Sequence, residues 1–207
     1  MPAKFYKQMP NGLWLGLWEI SETENELIDL SGKALLPDNF FSIKSELQRK
    51  QSICGRLLIK ELSLKVNPTF EGIYKNEHGK PLLKNLDGHI SISHSKHFVT
   101  ASLHTKNATG VDIEKISPRM RKVLPRICSK EELLLITDDK LGTFFWCAKE
   151  AMYKLYGQSG VHFAEQLEVK KEDGLYFGFI KDDKIEIKVK LASIEIEDFV
   201  MVWAVSI

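Results

Sequence analysis

The sequence predicts an α+β protein with two similarly built halves, each a long helix packed on a mainly antiparallel sheet. Apolar residues recur at helical spacing in residues 42–64 and 143–156, and strand-like runs surround both segments. The order of strand, long helix and further strands therefore occurs twice, although no sequence repeat is visible. We expect the halves to be related by pseudo-twofold symmetry, with residues 1–106 and 107–207 as the two domains and the functional site between them.

The elements of the N-terminal half follow from periodicity and turn signals. Residues 13–20 alternate bulky apolar side chains with polar ones or glycine, which is typical of a strand, and the long helix over 42–64 comes next. A turn is indicated at 76–81 by its Asn, Gly and Pro. The strand-like runs at 88–93 and 98–104 are separated by a short turn and predict a hairpin.

The C-terminal half begins with an alternating strand at residues 110–114. A short helix is predicted to begin at Ser129, where Ser-Lys-Glu-Glu has the form of a capping box. The main helix is expected to start at Thr143 as its N-cap and to end at Gly157. Four further strands are predicted within residues 167–205.

Composition excludes several classes of protein. The hydrophobic content of 43% and the charged content of 28% are those of an ordinary globular domain. No apolar run approaches the roughly 20 residues that a bilayer-spanning helix needs, and residues 1–8 contain no signal-peptide stretch, so we expect a cytoplasmic protein. A net charge of +1 gives no global field for nucleic acid. Cys54, Cys128 and Cys147 have no metal-ligand spacing and predict neither a zinc site nor disulfides.

Three carboxylates and one ammonium are the candidate site. Asp112 and Glu114 are two residues apart on a predicted strand and therefore leave it on the same face. Glu150 and Lys154 are four apart on the main helix and lie nearly one above the other. If the strand and the helix pack together, these groups form a site for a hard cation that holds phosphate oxygens. The non-functional alternatives are that Asp112 and Glu114 only form a solvated face of the strand and that Glu150 and Lys154 only form an i,i+4 ion pair on the helix.

Four motifs resemble those of the 4′-phosphopantetheinyl transferases, and the length of the chain fits the larger, two-halved type. They are Gly79-Lys80-Pro81, Ile92-Ser93-His94-Ser95, Gly110-Val111-Asp112-Ile113-Glu114 and Trp146-x-x-Lys149-Glu150-Ala151-x-x-Lys154. The resemblance implies an enzyme that transfers the phosphopantetheine arm of coenzyme A to a serine of an apo carrier protein and releases adenosine 3′,5′-bisphosphate. It further implies Mg²⁺, with Mn²⁺ as a substitute.

The resemblance also implies roles for individual residues. Asp112, Glu114 and Glu150 would bind the metal, and Glu150 and Lys154 would be the catalytic pair. The coenzyme A site would contain a basic residue for the 3′-phosphate, two residues bordering the nucleotide and three near the phosphates. The candidates for the 3′-phosphate are Arg49, Lys50 and Arg56. Lys80 and Pro81 would border the nucleotide. Ser93, His94 and Lys154 would lie near the phosphates.

The residues leave two further questions open. Six basic side chains and no acidic one occur between Lys115 and Lys130, which indicates either a solvated face or a docking surface for an acidic acyl or peptidyl carrier protein. The same three carboxylates would also serve another Mg²⁺-dependent phosphoryl-transfer enzyme or a nucleotide hydrolase, and a non-catalytic coenzyme A-binding module is the third reading. The doubled architecture predicts a monomer.

Overall fold

A computed structural model describes residues 3–182 and 185–207, and it has the predicted α+β architecture with two antiparallel sheets. The strands and helices, numbered in chain order, have the following bounds: β1 Ala3–Gln8, β2 Trp14–Glu19, α1 Glu24–Ser31, α2 Glu46–Leu64, β3 Ile73–Lys75, β4 Pro81–Leu83, β5 His89–Ser95, β6 Phe98–His104, β7 Thr109–Lys115, α3 Leu124–Ile127, α4 Lys130–Leu135, α5 Asp139–Tyr156, α6 Phe163–Gln166, β8 Leu167–Glu172, β9 Leu175–Lys181, β10 Glu186–Ile196 and β11 Phe199–Ser206.

The two sheets have the same strand order. The N-terminal sheet runs β1-β2-β6-β5-β4-β3 and the C-terminal sheet runs β7-β11-β10-β9-β8. Without the additional edge strand β1, each half consists of a strand, a long helix and four strands, and its last strand pairs with its first. The predicted two-halved, pseudosymmetric fold is therefore confirmed in its topology. The division into domains at residues 106 and 107 stays a prediction.

Three apolar cores hold the molecule together. One lies under α2 in the N-terminal half and one under α5 in the C-terminal half. The third lies between the two sheets and takes side chains from both of them, including Leu15 and Leu17 of β2, Val111 of β7 and Met201 of β11. Because burial of apolar area is the main favourable term in folding, this shared core joins the halves and fixes the cleft between β5, β7 and α5.

The predicted start of the main helix is wrong. Helix α5 begins one turn earlier, at Asp139, because the Asp138 side chain accepts a hydrogen bond from the Leu141 amide and caps the helix there. Thr143 lies inside the helix, and its hydroxyl donates to the Asp139 carbonyl oxygen. The predicted end is confirmed, since Gly157 has a φ of 71° and adopts the left-handed conformation that terminates helices.

The N-terminal half differs from the prediction in the start of α2 and in several elements that were not predicted, including the short strands β3 and β4 on either side of the turn. Helix α2 begins at Glu46 rather than at residue 42, because the Ser45 hydroxyl caps it by accepting from the Gln48 amide. Strand β1 and helix α1 were not predicted, although Thr23 at the N-cap of α1 and Glu26 in its first turn form a complete capping box.

Among the described residues, no helix is both long and apolar enough to cross a membrane.

Candidate active site

Three elements bring the predicted residues to one cavity between the halves. Strand β7 carries two of the carboxylates, helix α5 carries the third together with the lysine, and β5 carries a serine and a histidine. The cavity has a volume of about 330 Å³. Its lining residues are Ile92, Ser93, His94, Asp112, Glu114, Trp146, Glu150 and Lys154.

Gly110 allows the close approach of β7 and α5 that builds this cavity. A Cβ atom at Gly110 would lie 1.9 Å from the Ala151 carbonyl oxygen, so only glycine fits between the strand and the helix. Lys154 then reaches β7 directly, and its Nζ donates to the Val111 carbonyl oxygen at 3.3 Å. The strand and the helix on which the site depends are therefore in direct contact.

Asp112 is the most buried of the three carboxylates, with 4% of its surface exposed. Its Oδ1 accepts hydrogen bonds from the Ser93 hydroxyl at 2.6 Å and from Lys154 Nζ at 2.7 Å. Its Oδ2 is buried and has no hydrogen-bond partner among the residues that the structure describes. The neighbouring Cys147 thiol donates instead to the Val200 carbonyl oxygen, at 3.6 Å. A buried carboxylate oxygen without a donor is unfavourable unless a cation binds it, so this donor set fits a metal ion.

The environment of the other two carboxylates, Glu114 and Glu150, disfavours their ionised form. Burial raises the pKa of Glu150, and the nearby Asp112 carboxylate raises it further. Burial likewise raises the pKa of Glu114, although the Ser95 hydroxyl, which donates to Glu114 Oε2 at 2.8 Å, opposes this. Like charges repel more strongly in a partly buried cavity than in water, because the dielectric constant is lower there. A divalent cation would relieve this repulsion.

The carboxylates of the cavity are not drawn together as tightly as the ligands of one ion. Within the described parts of the chain, one group of three side chains has ligand atoms within 4.8 Å of one another, namely Glu19, His97 and Glu197. None of the three lines the cavity. Asp112, Glu114 and Glu150 must therefore move closer together to share a cation with oxygen bonds of about 2.1 Å.

A second, larger cavity of about 890 Å³ adjoins the first on the N-terminal half. Ile92, His94 and Lys154 line both cavities, so the two are direct neighbours. The lysine and arginine side chains of the large cavity outnumber its acidic ones, which favours a ligand with several negative charges. The basic residues are Arg56, Lys75, Lys80, Lys84 and Lys154, and the acidic ones are Asp38 and Glu71.

Lys80 connects the turn of the large cavity to the main helix. Its Nζ donates to the Leu155 carbonyl oxygen at 2.6 Å, which satisfies one of the unpaired carbonyls at the C-terminal end of α5. Burial lowers the pKa of Lys80. Lys80 and Pro81 both line the large cavity, as does the adjoining Gly157. The turn therefore forms a wall of the cavity and supports the helix that carries Glu150 and Lys154.

His94 lies where the two cavities meet. Desolvation at the cavity wall and the nearby Lys154 ammonium both lower the pKa of its imidazole below the usual value, although the residue keeps an exposed surface. At neutral pH the ring is therefore neutral and can donate one hydrogen bond to a phosphate oxygen.

Not all of the predicted coenzyme A residues reach the cavities. Arg56 lines the large cavity, whereas Arg49 and Lys50 are not among its lining residues. The Arg49 guanidinium instead bonds both oxygens of Glu24, with the Nη2–Oε2 contact at 2.8 Å. Ser93 lines the carboxylate cavity, with its hydroxyl donated to Asp112. The roles of these residues towards coenzyme A stay predictions.

The sequence analysis missed two basic residues of the large cavity, Lys75 and Lys84. Lys75 is the last residue of β3 and Lys84 directly follows β4, so they lie on the two arms of the hairpin around the predicted turn at 76–81. A signal was available in the sequence, because this short hairpin carries Lys75, Lys80 and Lys84 within ten residues. Spacing alone did not show that all three face the same cavity.

A known family model matches the part of the chain that carries the three carboxylates. The family model described as "ACPS: 4′-phosphopantetheinyl transferase superfamily" matches residues 108–203, which contain Asp112, Glu114, Glu150 and Lys154. The resemblance to the 4′-phosphopantetheinyl transferases is confirmed. The match covers the C-terminal half of the molecule, from β7 through α5 to β11.

Proteins similar to this chain include one curated relative and one solved structure. The curated relative "4′-phosphopantetheinyl transferase ffp" of Bacillus subtilis is 36% identical over 89 residues, which are 40% of this chain. The chain spans 39% of the length of that relative. A solved holo-(acyl-carrier-protein) synthase from Bacillus anthracis str. Ames, in complex with CoA (3′,5′-ADP), is 21% identical with a TM-score of 0.41. That comparison covers 48% of this chain and 94% of the synthase.

Proposed function

We propose that this protein transfers the 4′-phosphopantetheine arm of coenzyme A to a serine hydroxyl of an apo carrier protein. One observation carries the proposal, namely that a basic cavity of about 890 Å³ and a carboxylate-lined cavity of about 330 Å³ meet at His94 and Lys154. Coenzyme A has a bisphosphate nucleotide at one end and a pyrophosphate beside it, and the two cavities complement these parts in that order. The superfamily match over residues 108–203 supports the same reaction.

The nucleotide end of coenzyme A belongs in the large cavity. Its wall carries an excess of lysine and arginine side chains, and charge complementarity of this kind binds phosphate groups. Lys80 and Pro81 border the nucleotide, and Arg56 is the basic residue that the structure favours for the 3′-phosphate, because it lines the cavity while Arg49 is bonded to Glu24. The pyrophosphate then lies beside His94 and Lys154.

Asp112, Glu114 and Glu150 are the residues that would hold Mg²⁺, or Mn²⁺ in its place. Oxygen ligands suit both ions, and the unpartnered Oδ2 of Asp112 is the most direct support. A bound divalent cation would neutralise the pyrophosphate and offset the repulsion among the carboxylates.

The side chains of α5 provide the proton transfer. Glu150 accepts the proton of the carrier serine as the serine oxygen bonds to the β-phosphorus, and the bond from that phosphorus to the oxygen of the leaving nucleotide breaks. Adenosine 3′,5′-bisphosphate departs with its charge balanced by the Lys154 ammonium. In the metal-free site, burial and Asp112 raise the pKa of Glu150. The place of Glu150 in the carboxylate cavity beside Lys154 supports its role as the general base. Lys154 is held over the cavity by Asp112 and Val111.

The basic stretch 115–130 is the proposed docking surface for an acidic acyl or peptidyl carrier protein. Arg119, Arg121, Lys122 and Arg126 are exposed. The stretch connects β7 to α4, so it begins at the strand of the carboxylates. On α4, Leu134 is 85% exposed and adds an apolar contact beside these charges. Such a mixed surface steers an acidic partner and then buries apolar area on contact.

Incubation of the protein with coenzyme A, Mg²⁺ and several apo carrier proteins tests the reaction. Mass spectrometry should show one phosphopantetheine arm on a carrier, together with free adenosine 3′,5′-bisphosphate. Release of nucleotide at the same rate without a carrier would instead support the hydrolase alternative. Binding of coenzyme A without turnover of any carrier would support a binding module.

We also propose that the protein acts as a monomer in the cytoplasm. Both walls of the cleft come from one chain, so a second copy is not needed to complete the site. Light scattering should give the mass of a single chain at concentrations where the enzyme is active. Activity that rises with dimer formation would contradict the monomer proposal.

A further inference from the structure

Strand β5 presents serine at every second position. Ser91, Ser93 and Ser95 share one face of the strand, because side chains alternate between the two faces of a sheet. Ser91 and Ser93 are 3% and 6% exposed, a degree of burial at which apolar residues are usual. A buried hydroxyl destabilises the fold unless it is hydrogen-bonded, so Ser91 and Ser93 need partners.

The partners of all three serines belong to β7 in the other half of the molecule. Ser91 Oγ accepts from the Val111 amide at 3.1 Å. The hydroxyls of Ser93 and Ser95 donate to Asp112 and Glu114, respectively. We call these three contacts the serine ladder. A fourth hydroxyl contact between the halves joins Thr109 of β7 to Ser102 of β6 at 3.3 Å, and it involves no carboxylate.

The ladder fixes one oxygen of each carboxylate on β7. Ser93 and Lys154 both bond Oδ1 of Asp112, which leaves Oδ2 as the oxygen without a donor. Ser95 bonds Oε2 of Glu114. Groups that hydrogen-bond a metal ligand orient it, and removing such a group typically weakens metal binding by about 10–100-fold.

We propose that Ser95 of the N-terminal half is a positioning residue that orients Glu114 of the C-terminal half for a divalent cation, as Ser93 does for Asp112. Metal affinity then depends on the register between the two halves, because the serines and the carboxylates lie on different sheets. This inference rests on the proposed metal site at Asp112, Glu114 and Glu150. It adds that β5 contributes to the metal site without providing a ligand.

Titration of Mn²⁺ into the protein saturated with coenzyme A tests the inference. Free Mn²⁺ is measured by electron paramagnetic resonance, and a titration into coenzyme A without protein is the blank. Ser95→Ala should weaken Mn²⁺ binding by about 10-fold. Ser95→Thr keeps the hydroxyl and should bind Mn²⁺ within about 2-fold of the wild-type protein if the hydroxyl is what matters. Ser102→Ala is the matched control, because it removes a hydroxyl contact between the halves that touches no carboxylate.

The outcomes separate the inference from the proposed function. Wild-type affinity in Ser95→Ala would overturn the positioning role, while the metal site itself would stand. An equal loss in Ser102→Ala and Ser95→Ala would also overturn it, since general packing of the halves would then explain both losses. If the wild-type protein and Asp112→Asn bind Mn²⁺ equally, the metal site of the proposed function fails instead. In turnover assays, Ser95→Ala should recover most of its kcat at high Mg²⁺.

Discussion

Glu150 has the environment that general-base catalysis requires. It lies beside Asp112 and Lys154 in the carboxylate cavity, and burial raises its pKa. We expect Glu150→Gln to lower kcat by at least about 10²-fold, because a positioned base typically contributes about 10²–10⁴-fold. The measurement is transfer to an apo carrier at saturating coenzyme A, with circular dichroism to show that the variant is folded. Turnover close to the wild-type rate would exclude Glu150 as the base.

The raised pKa of Glu150 also predicts a pH dependence of stability in the metal-free protein. A carboxyl whose pKa is raised by folding binds a proton more tightly in the folded than in the unfolded chain, so stability increases as pH falls through the folded-state pKa. Glu150→Gln cannot take up this proton. In EDTA, the variant should therefore melt above the wild-type protein at neutral pH, and the gap should close on acidification. A gap independent of pH would contradict this electrostatic origin.

Lys149 forms a buried ion pair next to the active-site residues. Its Nζ lies 2.8 Å from Glu132 Oε2, and the two side chains are 0% and 3% exposed. Glu132 also accepts hydrogen bonds from the backbone amides of Ser129 and Val169, so it joins α4, α5 and β8. The motif around Lys149 is visible in the sequence, but its partner is not, because Glu132 is 17 residues away and the capping-box pattern already explains a glutamate at that position.

Removal of the Glu132 charge should unfold the protein more easily. Glu132→Gln leaves the Lys149 ammonium buried without a counter-charge, and we expect the free energy of unfolding to fall by about 3–5 kcal/mol. Urea denaturation measures this loss. Glu131→Gln is the control, since its side chain is exposed on the same helix and should change stability by less than about 0.5 kcal/mol. Equal losses in both variants would show that the buried pair is not the cause.

At the scale of elements, the contact between β7 and α5 determines whether the site exists. In Gly110→Ala, the new Cβ would meet the Ala151 carbonyl at 1.9 Å, and backbone atoms cannot move aside cheaply. The helix must move away from the strand, which separates Glu150 and Lys154 from Asp112. We expect a loss of about 1–3 kcal/mol of stability and a lower kcat. Gly88→Ala is the control, because its Cβ would make only ordinary contacts, the nearest at 3.5 Å. Similar behaviour of the two variants would contradict the argument.

Element types were more predictable than element ends. The long helices and the strands of the site follow from periodicity, which depends on local sequence. The start of α5 was misplaced because Asp138 and Thr143 are both acceptable N-caps, and the helix extends to the earlier one. The serine ladder could not be predicted from spacing either, since alternating serines are equally compatible with a solvent-facing strand. Only the packing of β5 on β7 shows that they are buried.

At the scale of the whole molecule, the proposed docking surface predicts a separable effect on the carrier protein. Reversing the charges of Arg121 and Lys122 to glutamate should raise the KM for the carrier and leave the affinity for coenzyme A unchanged, because neither residue lines either of the two cavities. The KM effect should weaken with added salt. The control is reversal of the exposed Lys33 and Lys44 in the N-terminal half. An unchanged KM for the carrier would remove the docking assignment.

The two-halved architecture was predictable because the order of elements repeats, even though the residues do not. The three acids were found from spacing and resemblance, and the structure places them around one cavity. The large cavity could not be derived in the same way. It combines α2, the hairpin of β3 and β4, and the end of α5, and these segments are distant along the chain. Long-range packing of this kind leaves no local pattern.

The identical strand order of the two sheets has a consequence for ancestry. A strand, a long helix and four strands closed by pairing of the last strand with the first form a complete unit, and this chain contains that unit twice. Duplication and fusion of one shorter gene would produce this arrangement. A polypeptide with a single unit would have to borrow the opposite wall of the cleft from another copy of itself. After fusion, the two walls could change independently. The N-terminal wall could acquire basic residues that suit a nucleotide, and the C-terminal wall could acquire carboxylates.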